Sequence, residues 1–174
     1  MKLSINKWCV LGFLFTVAGG TLLQFMYEWS GKADVVAPFS NVNESTWEHM
    51  KLLFYPTFLF AIIQIFFFGN RKDYWYIKLK GTILGLALIP GIFYLFNGII
   101  GPSNDVINIM IFVISVLAVY IYEARLFKEE NQIYMVNRNA IIAFFVIAIL
   151  FGVFTFVTPE LGIFLDPTSN TYGI

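Results

Sequence analysis

The sequence predicts an all-α polytopic integral membrane protein, a bundle of five transmembrane helices. One observation is composition: 59% of the 174 residues are hydrophobic and 20 are Phe, which is more apolar surface than a soluble domain of this size can bury. The surplus must therefore face lipid. The other observation is length, because five apolar stretches each approach the roughly 20 helical residues that cross a hydrocarbon core about 30 Å thick.

The five predicted spans end at charged or turn-forming residues, which water solvates and lipid does not. They cover approximately residues 8–27, 52–69, 81–100, 106–122 and 140–157. The first apolar run is longer than the hydrophobic region of a signal peptide, so we expect it to be retained as a helix. Residues 1–174 then form a single membrane domain. Its C-terminal tail, 158–174, should be ordered, because Ile163, Phe164 and Leu165 would otherwise lie in water.

Basic residues predict the orientation, because Lys and Arg are retained on the cytoplasmic side. A cytoplasmic N-terminus and an extracytoplasmic C-terminus leave only Lys32 and Lys51 outside. The remaining nine of the 11 basic residues then lie inside: Lys2, Lys7, Arg71, Lys72, Lys78, Lys80, Arg125, Lys128 and Arg138. The predicted location is the cell membrane, with membrane lipids as partners and either a homo-oligomer or a larger membrane complex as the assembly.

Several function classes lack the residues that they need. The net charge is zero and no basic stripe occurs, so nucleic acid is not an expected partner. The single Cys9 can form neither a disulfide nor a CxxC pair within the chain. The sequence contains no Walker loop, GxSxG elbow or dinucleotide fingerprint.

Four features inside or beside the spans have mainly structural readings. Pro90 removes a helical hydrogen bond in the third span and predicts a kink, which could line a cavity. Gly81 and Gly85 allow close helix packing. In the loops assigned to the inner side, Tyr74-Trp75-Tyr76 is typical of an interfacial aromatic belt, and Glu123 should pair with Lys128 on a solvated helix extension.

The segment before the second span is the most informative polar stretch. Ser45 and Glu48 have the spacing of a capping box, in which a hydroxyl and a carboxylate satisfy backbone donors at a helix start. If the helix begins near residue 44, the i, i+4 pairs Glu44/Glu48 and Ser45/His49 share a face. Two carboxylates, a hydroxyl and the only imidazole would then lie within one turn. Lys51 could also pair with Glu48 or Glu44.

This cluster has a structural interpretation and a functional one. A capping box and a solvated helix end account for it without a ligand. Crowded like charges, however, invite a cation or a small polar ligand. The candidate ligand-binding residues are Glu44, Ser45, Glu48, His49, Asp166 and Tyr172, and the candidate ligands for a divalent metal are Glu44, Glu48 and His49.

The sequence resembles a family of small bacterial multi-pass membrane proteins of unknown function. The resemblance rests on Tyr27-Glu28-Trp29-Ser30-Gly31, on an Asn-Glu-Ser-x-Trp-Glu-His signature at 43–49, and on the Asp166-Pro167 to Tyr172-Gly173-Ile174 ending. It implies that the loop and the C-terminal ending belong together. It also implies a histidine where Gln24 stands, and this departure weakens any metal site that would use that position.

Three classes of function follow from this reading. The first is an outward-facing site that binds a cation or a small polar ligand. The second is a membrane-embedded enzyme acting on lipid headgroups, with Glu48, His49 and Asp166 as candidate catalytic residues. The third is a non-catalytic scaffold subunit. The sequence does not decide whether the protein is an enzyme.

Overall fold

Five long helices make up the computed structural model, which describes residues 4–68, 71–129 and 137–174. They are α1 (Ile5–Trp29), α2 (Thr46–Phe68), α3 (Tyr74–Ile99), α4 (Asp105–Lys128) and α5 (Asn137–Phe156). A single 3-10 turn follows at Gly162–Phe164, and the described ranges contain no strand. Each long helix has the length and apolar composition needed to cross a membrane. The predicted all-α bundle of five transmembrane helices is therefore confirmed.

The helices alternate in direction, which separates the bundle into two ends. The tail end, as we call it, holds the loop 30–45, the start of α2 and the C-terminal tail 157–174, while the amino-terminal end holds the start of α1 and the turn 71–73. Between the ends, large apolar side chains are exposed on the outer surface, including Phe66, Leu95 and Ile149. These side chains form the surface that lipid must cover.

Two helices begin well before the predicted spans. α2 starts at Thr46, close to the helix start near residue 44 that the capping box suggested but before the span predicted from residue 52, and α3 starts at Tyr74, before the span predicted from residue 81. The predicted spans begin after Lys51 and after Lys80 because a hydropathy scale counts a lysine as solvated, yet Lys51 and Lys78 lie inside the helices. Both lysines are fully buried and each lies 2.5 Å from a carboxylate oxygen, so their charges are compensated inside the bundle.

Two predictions for the amino-terminal end of the bundle were wrong: the aromatic belt and the pairing of Glu123. Tyr74 and Trp75 are buried in the first turn of α3 and do not form an interfacial belt. Glu123 is fully buried and pairs with Lys78 of α3, not with Lys128. The last part of the predicted inner loop, 130–132, lies outside the described residues.

Close packing between α3 and its neighbours depends on small residues, as expected. A Cβ placed on Gly81 would lie 2.7 Å from Glu123 Cγ, and one on Gly85 would lie 2.6 Å from Val119. These glycines let α4 approach the α3 backbone. Further along α3, Pro90 lies inside the helix, and the residues beside it border the cleft described next.

Candidate functional site

A narrow cleft opens at the tail end between α2, α3 and α4. Its polar wall comes from the start of α2, and its apolar walls come from α3 on either side of Pro90 and from the first turns of α4. The lining residues are Glu44, Thr46, His49, Ile89, Phe93, Asn108, Ile111 and Phe112. A mostly apolar cavity with a few convergent polar groups is the usual form of a small-molecule site.

The start of α2 fixes the direction in which its polar side chains point. Ser45 Oγ accepts the backbone N–H of Glu48 at 3.4 Å, which is half of the predicted capping box. The other half would be a bond from the Ser45 N–H to the Glu48 carboxylate. Instead, the Ser45 N–H donates to Asn43 Oδ1 at 2.9 Å. Glu48 is therefore free to bond elsewhere. Because the helix begins at Thr46, Glu44 precedes it, and the two carboxylates do not share a helical face.

Glu44 occupies the mouth of the cleft and is held by neighbours on both sides. Its Oε1 accepts hydrogen bonds from Gln24 Nε2 of α1 at 3.1 Å and from Asn41 Nδ2 at 3.3 Å. Its Oε2 lies 3.4 Å from Nε2 of His49. The side chain keeps 39% exposure, so the carboxylate is fixed in position and still accessible.

His49 is oriented by the helix on which it lies. Its Nδ1 is 2.9 Å from the Ser45 carbonyl oxygen, which only accepts, so Nδ1 carries a hydrogen. In the neutral ring, Nε2 is then an acceptor that faces a second acceptor, the Glu44 carboxylate. In the imidazolium, Nε2 would instead donate to that carboxylate.

Asn108 supplies a polar atom from the opposite wall. Its Oδ1 is buried and has no hydrogen-bond partner in the described part of the chain. A buried amide oxygen without a donor costs about 1–3 kcal/mol, and such an atom at a cleft is a common mark of a missing ligand or water. Sequence reasoning did not identify Asn108, because one polar residue near the start of an apolar helix is unremarkable.

Glu48 points away from the cleft and forms a buried ion pair with Lys51. Its Oε2 lies 2.5 Å from Lys51 Nζ and accepts the Val42 N–H at 3.0 Å. Lys51 Nζ also donates to the Ala37 carbonyl at 2.9 Å and to Thr155 Oγ1 at 3.0 Å. All three ammonium donors are satisfied, so this pair ties together the loop, α2 and α5.

The tail residues Asp166 and Tyr172 lie in a short turn whose own bonds account for them. Asp166 Oδ1 accepts the Thr168 N–H at 2.8 Å, and Oδ2 accepts the Ser169 hydroxyl at 2.7 Å. Burial acts to raise the pKa of the Asp166 carboxyl, but these bonds, together with the Glu44 N–H, lower it overall. Tyr172 pairs with Leu165 through the backbone and leaves its ring partly exposed.

The tail packs against the start of α2, so the loop and the ending do meet in space. The rings of Trp47 and Phe164 have centroids 4.7 Å apart, and Asn43 Nδ2 donates to the Gly173 carbonyl at 2.8 Å. The described residues contain no group of three His, Cys, Asp or Glu side chains placed to hold a metal. Of the proposed metal ligands, only Glu44 and His49 come together.

Comparison with known proteins adds a family and no function. A model described as a family of unknown function (DUF6512) matches residues 1–174. No curated protein and no solved structure matches the chain.

Proposed function

Since the chain belongs to the family of unknown function DUF6512 over its whole length, we propose a function from its own geometry. The protein is a multi-pass membrane protein whose cleft between α2, α3 and α4 binds a small ligand with a primary ammonium head and an apolar body. The observation that carries this proposal is the pair Glu44 Oε2 and His49 Nε2, 3.4 Å apart, in an apolar cleft that Asn108, with an unpartnered side-chain oxygen, also lines. In the neutral imidazole, His49 Nε2 is an acceptor.

The chemistry of the head group follows from these acceptors. A primary ammonium has three N–H donors and no acceptor. It can lie between Glu44 Oε2 and His49 Nε2, because atoms 3.4 Å apart can both be reached by one nitrogen at about 2.9 Å. A third donor is then available to Asn108 Oδ1. The carboxylate supplies the charge, and hydrogen bonds to charged groups are the stronger ones.

The apolar body of the ligand follows from the walls of the cleft. Ile89 and Phe93 on α3 and Ile111 and Phe112 on α4 line it beyond the polar end. An alkyl chain placed against these side chains would be removed from water, which contributes about 0.8 kcal/mol per buried methylene.

The two other uses of the polar residues have less support. A divalent metal would find two side-chain ligands in Glu44 and His49, whereas protein zinc sites use three or four. An enzyme acting on headgroups would need a free acid or base. The oxygens of Glu48 and Asp166 are engaged by Lys51 and by the tail turn, which leaves His49 without the proposed partners.

The proposal includes the orientation given by the basic residues. The protein lies in the cell membrane with its N-terminus in the cytoplasm, so that the cleft and the tail are outside. A ligand would then reach the cleft from the extracytoplasmic space or from the headgroup layer of the outer leaflet.

Hexylamine binding tests the proposal, and the lipid composition shows whether the natural ligand is a free amine or a lipid headgroup. The purified protein is placed in nanodiscs of phosphatidylcholine, whose quaternary head has no N–H donor, and is titrated with n-hexylamine. We expect saturable binding of hexylamine and none of the matched hexanoate. Replacing part of the lipid with phosphatidylethanolamine should weaken hexylamine binding if a lipid head occupies the cleft, and should leave it unchanged if the ligand is a free amine. Equal binding of hexylamine and hexanoate would contradict the proposal.

A further inference from the structure

A second buried ion pair lies near the amino-terminal end of the bundle, away from the cleft. Lys78 of α3 and Glu123 of α4 are fully buried, and both lie within helices long and apolar enough to span a membrane. Removing two charges from water costs several kcal/mol per ion. Ionisable residues inside transmembrane segments are for this reason rare, and they usually mark a functional site.

This pair forms fewer hydrogen bonds than the Glu48–Lys51 pair. Lys51 has three acceptors, as described above. Lys78 Nζ bonds to one, Glu123 Oε2 at 2.5 Å, and otherwise lies over the rings of Phe60 and Tyr120 at 5.8 and 5.4 Å. The other carboxylate oxygen, Glu123 Oε1, is buried without a hydrogen-bond partner among the described residues. The Lys78–Glu123 pair therefore keeps unused hydrogen-bonding capacity.

Two more buried acceptors without partners lie at the same depth. The side-chain oxygens of Gln64 on α2 and Thr82 on α3 are both unpaired in the described structure. Thr82 is one turn from Lys78. Ring contacts Phe60–Tyr120 and Phe68–Phe127 fix the register of α2 on α4, and Gln64, midway between Phe60 and Phe68, is thereby level with Glu123.

We propose that Lys78 and Glu123 form a proton-binding site inside the helix bundle, with Glu123 Oε1 as the atom that takes up the proton. A proton fits where a larger cation does not, because Gly81 packs directly on the carboxylate, and a Cβ placed on this glycine would lie 2.8 Å from Oε1. Uptake forms an O–H bond on Glu123 and leaves Lys78 as the ammonium.

The other titratable groups near this site come from three helices. Cys9 faces Glu123 from α1, Tyr74 and Lys78 face it from α3, and Tyr120 faces it from α4. α2 contributes Gln64, which does not titrate. Among these described neighbours, Glu123 is the only carboxyl group.

Infrared difference spectroscopy tests the proposal on the full-length protein in nanodiscs. Acidification should produce a carboxylic-acid carbonyl band that shifts when glutamate is labelled with ¹³C. The component of this band that comes from a buried carboxylic acid should be lost in Glu123→Gln and should persist in the matched control Glu28→Gln, whose side chain is 66% exposed. A band unchanged in Glu123→Gln would overturn the proposal.

A second variant keeps the test decisive if Glu123→Gln fails to fold. Lys78→Met removes the positive partner, so the protonated form of Glu123 should persist to more alkaline buffer than in the wild type. Failure of the wild-type protein to show any pH-dependent glutamic-acid band would also overturn the proposal. Hexylamine binding is not read in this experiment, so its outcome is separate from that of the cleft.

Discussion

The Glu44 Oε2 atom lies 3.4 Å from His49 Nε2, at the mouth of a cleft whose other walls are apolar. Gln24 and Asn41 hold Glu44 from one side, and the Ser45 carbonyl holds the imidazole from the other. Both groups are thus positioned before any ligand arrives. Preorganised groups bind more tightly because less side-chain entropy is lost on binding.

Asn108→Leu should weaken hexylamine binding while leaving the fold intact. The substitution removes one of the three proposed acceptors, and a hydrogen bond to a charged group contributes about 1.5–3 kcal/mol, or roughly ten- to a hundredfold in Kd. The unpartnered buried oxygen disappears as well, so the Tm should not fall. Calorimetric titration in phosphatidylcholine nanodiscs gives the Kd. Unchanged affinity would remove Asn108 from the site.

Glu48→Gln should reduce stability rather than ligand binding. Neutralising Glu48 leaves the Lys51 ammonium buried beside an amide, and breaking a buried pair in this way costs about 3–5 kcal/mol. The double variant Glu48→Leu/Lys51→Met should be less destabilised than Glu48→Gln. Thermal unfolding measures both effects. A hexylamine Kd that rises tenfold in folded Glu48→Gln would instead place Glu48 in the site.

Trp47 and Phe164 should be energetically coupled, because their rings join the tail to α2. Aromatic pairs of this kind contribute about 0.5–1.5 kcal/mol beyond their buried area. In a double-mutant cycle of Trp47→Leu and Phe164→Ala, the double variant should therefore lose less unfolding free energy than the sum of the two single variants, by about that amount. Additive effects would mean that the tail rests on the bundle without specific contact.

Asp166 should make the tail sensitive to strong acid. The folded-state pKa of this carboxyl is lowered, so its stabilising effect is present above the ordinary value of about 3.9 and is lost as the pH falls through the folded-state pKa. Hydrogen exchange at the Asp166 N–H, which donates to the Thr171 carbonyl at 3.0 Å, reports the change. Asp166→Asn should exchange faster at neutral pH and lose this acid dependence.

The orientation can be tested with single cysteines on a Cys9→Ala background. Ser169 at the tail end and Lys72 at the amino-terminal end are both exposed. In intact cells, an impermeant thiol reagent should label Ser169→Cys and should leave Lys72→Cys unlabelled until the cells are permeabilised. The reverse pattern would invert the orientation and place the cleft in the cytoplasm.

Sequence reasoning was most successful for features that depend on composition. The spans follow from apolar length, and Glu44 and His49 are only five residues apart, so their proximity could be expected. The capping box pointed to a helix start close to Thr46, but the burial of Lys51 could not be expected, because it depends on hydrogen bonds to Ala37 and Thr155, which are distant in sequence. Asn108 approaches the cleft from another helix, and nothing in its local sequence distinguishes it.

The same limit explains the errors at the amino-terminal end. Lys78 and Glu123 are 45 residues apart, and each is followed or preceded by further charges that suggest a solvated segment. Only the packing of α3 on α4 shows that they neutralise each other. Hydropathy therefore missed a long-range charge pair at the amino-terminal end, whereas at the tail end it missed the burial of the local pair Glu48–Lys51.

The hexylamine Kd of Glu44→Gln tests the central claim most directly, with Glu28→Gln as the matched control. Both carboxylates belong to the tail-end segments, but Glu28 pairs with Lys32 at 3.6 Å on the surface and does not line the cleft. In phosphatidylcholine nanodiscs, Glu44→Gln should weaken hexylamine binding by roughly tenfold or more, and Glu28→Gln should bind like the wild type. Equal affinities in the two variants would contradict an ammonium site at Glu44.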